Sequence, residues 1–146
     1  MRRSTGFSLM ELLLAVALGA LLLLAGVSAL TGLQTQMRLY TAVALFASSL
    51  QTARSEALSR GAAIELQIDP TRTAFLSVPR GFAPQGEWQF LPPGVSFSKF
   101  PASNLTFYSR GVAVPAATYH LSADRWSAEV VVAGGGRIRW RFLDDS

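Results

Sequence analysis

The stretch Ser4-Thr5-Gly6-Phe7-Ser8-Leu9-Met10-Glu11-Leu12-Leu13-Leu14 decides how the whole chain is read. Ahead of it stand only Met1, Arg2 and Arg3, which make the first six residues short, basic and polar. Behind it no formally charged residue occurs between Glu11 and Arg38, and Leu12 to Leu30 is almost wholly Leu, Ala, Val and Gly. That run is close to the roughly 20 residues an α-helix needs to cross the hydrocarbon of a bilayer. A membrane span is expected, with Arg2 and Arg3 favouring a cytoplasmic amino terminus and the rest of the chain outside the cytoplasm. Glu11 is the residue out of place. A carboxylate costs roughly 2.5–3.5 kcal/mol at mid-membrane and less near the interface. By periodicity alone Glu11 marks the start of a span and stays among the headgroups. A secretory signal cut near Val27-Ser28-Ala29 and a plain single-span anchor share this general pattern. A twin-arginine signal would need a Phe-Leu-Lys pattern that does not follow Arg2-Arg3.

The residues Gly6 to Leu12 resemble the processing site of type IV pilins and type II secretion pseudopilins. Gly6, Phe7 and Glu11 match the family's three key positions, while Ser8 and Met10 depart mildly from the usual threonine and isoleucine or valine. The resemblance implies that a prepilin peptidase cuts after Gly6 and methylates the new terminus at Phe7, leaving Glu11 as the fifth residue. Four residues apart on a helix, Phe7 and Glu11 share one face near its positive end. The resemblance further implies that Glu11 pairs with the terminal amine of a neighbouring subunit during assembly, neutralising two charges in lipid. It implies as partners the prepilin peptidase, other pilins or pseudopilins in a filament, an inner-membrane assembly platform and membrane lipid. The expected organisation is a cleaved leader at 1–6 and the transmembrane half of a helix at 7–33. The protein is then a single-pass component of the inner membrane that assembles into a pilus or pseudopilus.

Beyond Leu33 the chain is free of proline until Pro70, and apolar residues recur at Leu39, Val43, Phe46, Leu50, Ala53 and Ala57. Steps of three and four define one helical face, and Gly61 after Arg60 is a stop signal. One helix from about Phe7 to Arg60 is expected, amphipathic over 34–61, its stripe packing on a β-rich domain at 62–146. From Ala62 the period changes to two. Strands are expected at Ala63–Ile68, Ala74–Val78, Trp88–Leu91, Val95–Phe100, Leu105–Tyr108, Thr118–Leu121, Trp126–Val132 and Arg137–Leu143. Pro92-Pro93-Gly94 and Gly134-Gly135-Gly136 are read as hairpin turns. A helix followed only by strands is an α+β arrangement with an antiparallel sheet. The order of pieces resembles the minor pseudopilins of the GspH/FimT type, through Ala53-Arg54-Ser55-Glu56-Ala57 at the helix end and Gly136-Arg137-Ile138-Arg139 near the close.

Thirteen basic against nine acidic residues give a formal +4, which falls to eleven against nine once Arg2 and Arg3 are set aside. Global charge therefore argues weakly for nucleic acid, and local arrangement must carry such a reading. The absence of cysteine excludes disulfides and thiolate chemistry. His120 is the sole histidine, no Gly-x-Ser-x-Gly elbow presents a nucleophile, and Asp144-Asp145 reads as a solvated tail. No catalytic residue, metal site or cofactor is expected. The distinctive feature is Arg137, Arg139 and Arg141 alternating with Ile138, Trp140 and Phe142. In a strand, three guanidiniums then form a row roughly 6.5 Å apart while the other three face the core. Such a row can grip successive phosphates, and it equally protects an edge strand from aggregation. Members of the FimT group linked to transformation carry a Gly-Arg-x-Arg associated with DNA contact. Gly136, Arg137 and Arg139 match it, so the resemblance implies a minor pilin of a competence pilus touching DNA. The alternative is a pseudopilin of a type II secretion machine.

Overall fold

The computed structural model describes residues 8–81 and 86–143, with the backbone alone over 27–31. Gly6 and Phe7 lie outside the described residues. The chain divides into two compact units at Gln34/Thr35.

The first unit is the start of helix α1 (Leu9–Arg60), whose first turn carries Glu11. Ser8 opens it, its carbonyl accepting from the amides of Glu11 and Leu12 at 3.0 and 3.1 Å. Leu9–Gly26 is long and apolar enough to cross a membrane. Its leucines are more than half exposed, so this surface requires lipid or other helices to cover it.

The second unit contains the rest of α1 and, among the described residues, nine strands. Six positions of the expected stripe, Leu39, Val43, Phe46, Leu50, Ala53 and Ala57, are buried to 2 % exposure or less. Gly61 takes a left-handed φ of +63° and ends the helix as the αL position after its last turn. Strands β1 (Ile64–Ile68), β2 (Ala74–Pro79), β3 (Gln89–Phe90), β4 (Ser96–Lys99), β5 (Leu105–Phe107), β6 (Ala113–Val114), β7 (Ala117–Ala123), β8 (Trp126–Val132) and β9 (Ile138–Leu143) follow. All pair antiparallel, in two sheets rather than the single one expected: β3-β2-β1-β5-β6 and β4-β7-β8-β9. The fold is the α+β, pilin-like arrangement of a long helix and antiparallel strands.

The expected hairpin across Pro92-Pro93-Gly94 is not formed. β3 pairs with β2 and β4 with β7, so the Pro-Pro-Gly segment passes the chain from one sheet to the other. Leu91 and Val95 on either side of it are both buried in the core that the two sheets share. β6, two residues long after the turn at Ser109-Arg110-Gly111, carries too little periodic signal to be anticipated.

The core is one cluster in which the helix stripe meets the inner faces of both sheets. Among the described residues every buried apolar side chain lies between Leu39 and Val132, so a fragment beginning at Thr35 keeps this core and, as a compact unit, has what it needs to fold alone. Phe46 is its hub, with ring centroids 5.1 Å from Phe75, 5.0 Å from Phe97 and 5.0 Å from Tyr119, all edge-to-face.

Tyr119 is 1 % exposed. Burial holds its phenol protonated well above the ordinary value of 10.0. The unfolded chain therefore releases this proton first as pH rises, and the stability that the neutral phenol contributes is lost above the unfolded pKa. From about pH 10 upward the domain should lose up to ~1.4 kcal/mol per pH unit from this group. Denaturant titrations of the parent and Tyr119→Phe at neutral pH and at high pH check this, and the Phe variant should show the shallower decline.

Candidate functional site

β9 is the last strand of the four-stranded sheet, so among the described residues one of its edges is unpaired. Its register on β8 follows from the Gly134-Gly135-Gly136 turn, with Val131 opposite Arg139 and Glu129 opposite Arg141. Arg139 and Arg141 lie on the outer face of the sheet and are exposed. Arg137 is exposed just before the strand begins, where its carbonyl accepts from the Ala133 amide at 2.9 Å. Two adjoining shallow clefts join the three: one lined by Val131, Ala133, Gly135, Arg137 and Arg139, the other by Glu129, Val131, Arg139, Trp140 and Arg141. The expected row is thus present as geometry.

Two parts of the expectation need correction. Trp140 and Phe142 point to the inner side of the sheet, as alternation requires, but they are 43 % and 38 % exposed and lie outside the core. An edge strand has cover on one side only, and that cover is Tyr40 of α1, 5.9 Å from Trp140 and 6.1 Å from Phe142. Ile138 alone of the three packs against the core. The arginines are also unequal. Arg141 Nε donates to Glu129 Oε2 at 2.7 Å, and Glu129 is largely covered, so that charge is locally neutralised. Among the described residues Arg137 and Arg139 form no ion pair. Positive potential is therefore weighted toward the β8–β9 turn.

That turn is fixed from below by Arg54, whose place in the Ala53-Arg54-Ser55-Glu56-Ala57 stretch at the helix end gives no hint of this contact. Its Nε donates to the Gly111 carbonyl at 3.2 Å, with a longer contact of 3.5 Å from Nη2 to the Gly135 carbonyl. One helix side chain thus ties the β5–β6 turn to the β8–β9 turn. The Ala113 amide adds a backbone bond to the Gly134 carbonyl at 2.9 Å. Gly136, with φ +74°, sits where a Cβ would overlap the Gly111 carbonyl oxygen and come within 2.7 Å of Arg54 Nε. The glycine ahead of Arg137 is required by this close approach. Only the Glu129–Arg141 pair carried a usable signal beforehand, by counting outward from the glycine turn.

His120 stands opposite Glu129 on the outer face of β7, half-buried, and Asp124 lies in the following turn. Among the described residues no three His, Asp or Glu side chains come together as a metal site.

Comparison with known proteins places these features in a family. A prokaryotic N-terminal methylation motif matches residues 1–27, and the type II transport protein GspH matches residues 42–136. The methylation motif implies prepilin-peptidase processing and assembly among pilins or pseudopilins. No curated protein sequence matches the chain. The type IV minor pilin FimU of Pseudomonas aeruginosa is similar in fold, with 24 % identity and a TM-score of 0.60 over 73 % of this chain and 90 % of that one. The minor pseudopilin EpsH from the type 2 secretion system of Vibrio cholerae aligns at 18 % identity and a TM-score of 0.58, over 73 % and 96 %. The GspH match runs from the buried stripe of the helix to the turn glycine, well over half the length, and the chain accordingly belongs to the GspH family of minor pilins and pseudopilins.

Proposed function

We propose that this chain is a minor pilin of a type IV competence pilus, a structural subunit that touches DNA through Arg137, Arg139 and Arg141. The observation that carries the reading is the exposed arginine row across the β8–β9 turn and strand, two of whose members have no acidic partner among the described residues. Cleavage after Gly6, methylation of Phe7 and a pairing role for Glu11 complete it. So do an inner-membrane location, with the domain outside the cytoplasm, and delivery by the assembly platform. The second reading, a minor pseudopilin of a type II secretion machine, is favoured by the GspH match and would make other pseudopilins the ligands.

Mobility-shift titrations of residues 35–146 with duplex DNA test the reading. The parent should bind, and changing the three arginines to alanine should abolish the shift. Absence of a shift at low salt refutes the DNA role. Mass measurement of the protein from native membranes should show loss of Met1 to Gly6 and gain of one methyl group. A product retaining Met1, or beginning near Leu30, would contradict the processing.

A further inference from the structure

The positive surface does not stop at β9. The β5–β6 turn, Tyr108-Ser109-Arg110-Gly111, is brought against the β8–β9 turn by Arg54 and by the Gly111–Gly136 approach. Arg110, exposed, precedes the very carbonyl that Arg54 holds. At the start of this turn Tyr108 carries a second exposed arginine. Arg80 Nη1 donates to the Tyr108 hydroxyl at 2.5 Å, and the Arg80 guanidinium lies 5.9 Å from the Tyr108 ring centroid. No acidic residue occurs in 108–114 or 133–139. Neither Arg80 nor Arg110 forms an ion pair among the described residues. Arg54 and Arg137 line one cleft with Gln51, Gly135, Gly136 and Ile138.

From this arrangement we infer that the nucleic-acid surface turns the corner from β9 onto the β5–β6 turn, where Arg80 and Arg110 hold phosphates that the β9 row does not reach. The inference rests on the DNA reading proposed above. The physical case is one of distribution and preparation. Glu129 neutralises Arg141 at one end of the row, so a polyanion is drawn to the other end, where two turns pool their charges. Arg80 is already immobilised on Tyr108, so less side-chain freedom is lost when it meets a phosphate, and its remaining N–H groups stay available.

The test compares residues 35–146 with an Arg80→Ala/Arg110→Ala pair and an Arg80→Lys/Arg110→Lys pair, in DNA titrations at several salt concentrations. Removing two phosphate contacts should weaken binding about tenfold near 0.1 M salt and flatten the log–log salt slope by about 2, and the lysine pair should restore the slope. Circular dichroism and melting temperature confirm that each pair is folded. A parent that binds while the alanine pair keeps its affinity and slope overturns this inference alone. A parent that shifts no DNA overturns the DNA reading and this extension together. Flotation with equimolar phosphatidylcholine and phosphatidylglycerol vesicles is run in parallel. Loss of vesicle binding in the alanine pair with unchanged DNA binding would reassign the surface to lipid and overturn the inference.

Discussion

Phe46→Ala is expected to destabilise the domain by about 3–5 kcal/mol, the range for emptying a fully buried phenylalanine site. Phe46 has no exposed surface and meets three aromatic rings edge-to-face, one from the five-stranded sheet and two from the four-stranded sheet. Its removal leaves a cavity at the point where helix and both sheets converge. Relaxation cannot close this cavity without moving Phe75, Phe97 and Tyr119, and Phe97 is itself held edge-to-face at 6.3 Å from each of the other two. A domain of this size has only about 5–15 kcal/mol in total, so the melting temperature should fall by roughly 15 °C or more. Phe90→Ala supplies the contrast. Phe90 is 70 % exposed on a two-residue edge strand, and its loss should change stability by no more than about 0.5 kcal/mol. Thermal unfolding of residues 35–146 by circular dichroism reads both, and a Phe46→Ala loss below about 1 kcal/mol would refute the hub.

Gly136→Ala should be nearly as damaging, for a backbone reason. The left-handed φ of +74° costs a side-chain-bearing residue about 1–2 kcal/mol. The added Cβ must also displace the Gly111 carbonyl, which is backbone and cannot rotate aside, and with it the Arg54 bond that the carbonyl accepts. Loss of that charge-assisted bond brings the expected total to about 3 kcal/mol. Gly135→Ala is the matched control, since a Cβ there meets nothing within 4 Å and φ is not left-handed. Gly61→Ala isolates the conformational part, because its φ of +63° is left-handed and its surroundings are open. Denaturant midpoints should therefore fall in the order Gly135→Ala, Gly61→Ala, Gly136→Ala. Equal midpoints for Gly136→Ala and Gly61→Ala would show that the two turns do not meet as described. The same contact explains why a glycine precedes Arg137: it lets the β8–β9 turn approach close enough to place that arginine beside the β5–β6 turn.

The readable features were those with short-range causes. The stripe from Leu39 to Ala57 follows from helical period, and its burial agrees residue by residue. The β1–β2 and β8–β9 hairpins follow from alternation on either side of Asp69-Pro70-Thr71 and Gly134-Gly135-Gly136. The Pro92-Pro93-Gly94 segment is ambiguous in sequence because a hairpin turn and a crossing between sheets need the same local turn residues. Trp140 and Phe142 fall outside the core although alternation turns them inward, because alternation states which side a residue faces and not how much of the protein lies on that side.

What the sequence determined by itself is therefore the apolar segment with Glu11 at its head, the long helix and its buried face, most of the strands, and the alternation that puts Arg139 and Arg141 on one surface. Tertiary packing set the two sheets, the edge position of β9, the pairing of exposed Arg141 with Glu129, and the clasp by which Arg54 holds two turns from distant parts of the chain. The division has one cause. Period and turn chemistry act between residues a few positions apart, whereas strand partners, edges and charge neighbours are set by the shared burial of residues far apart in sequence, about which local pattern carries no information.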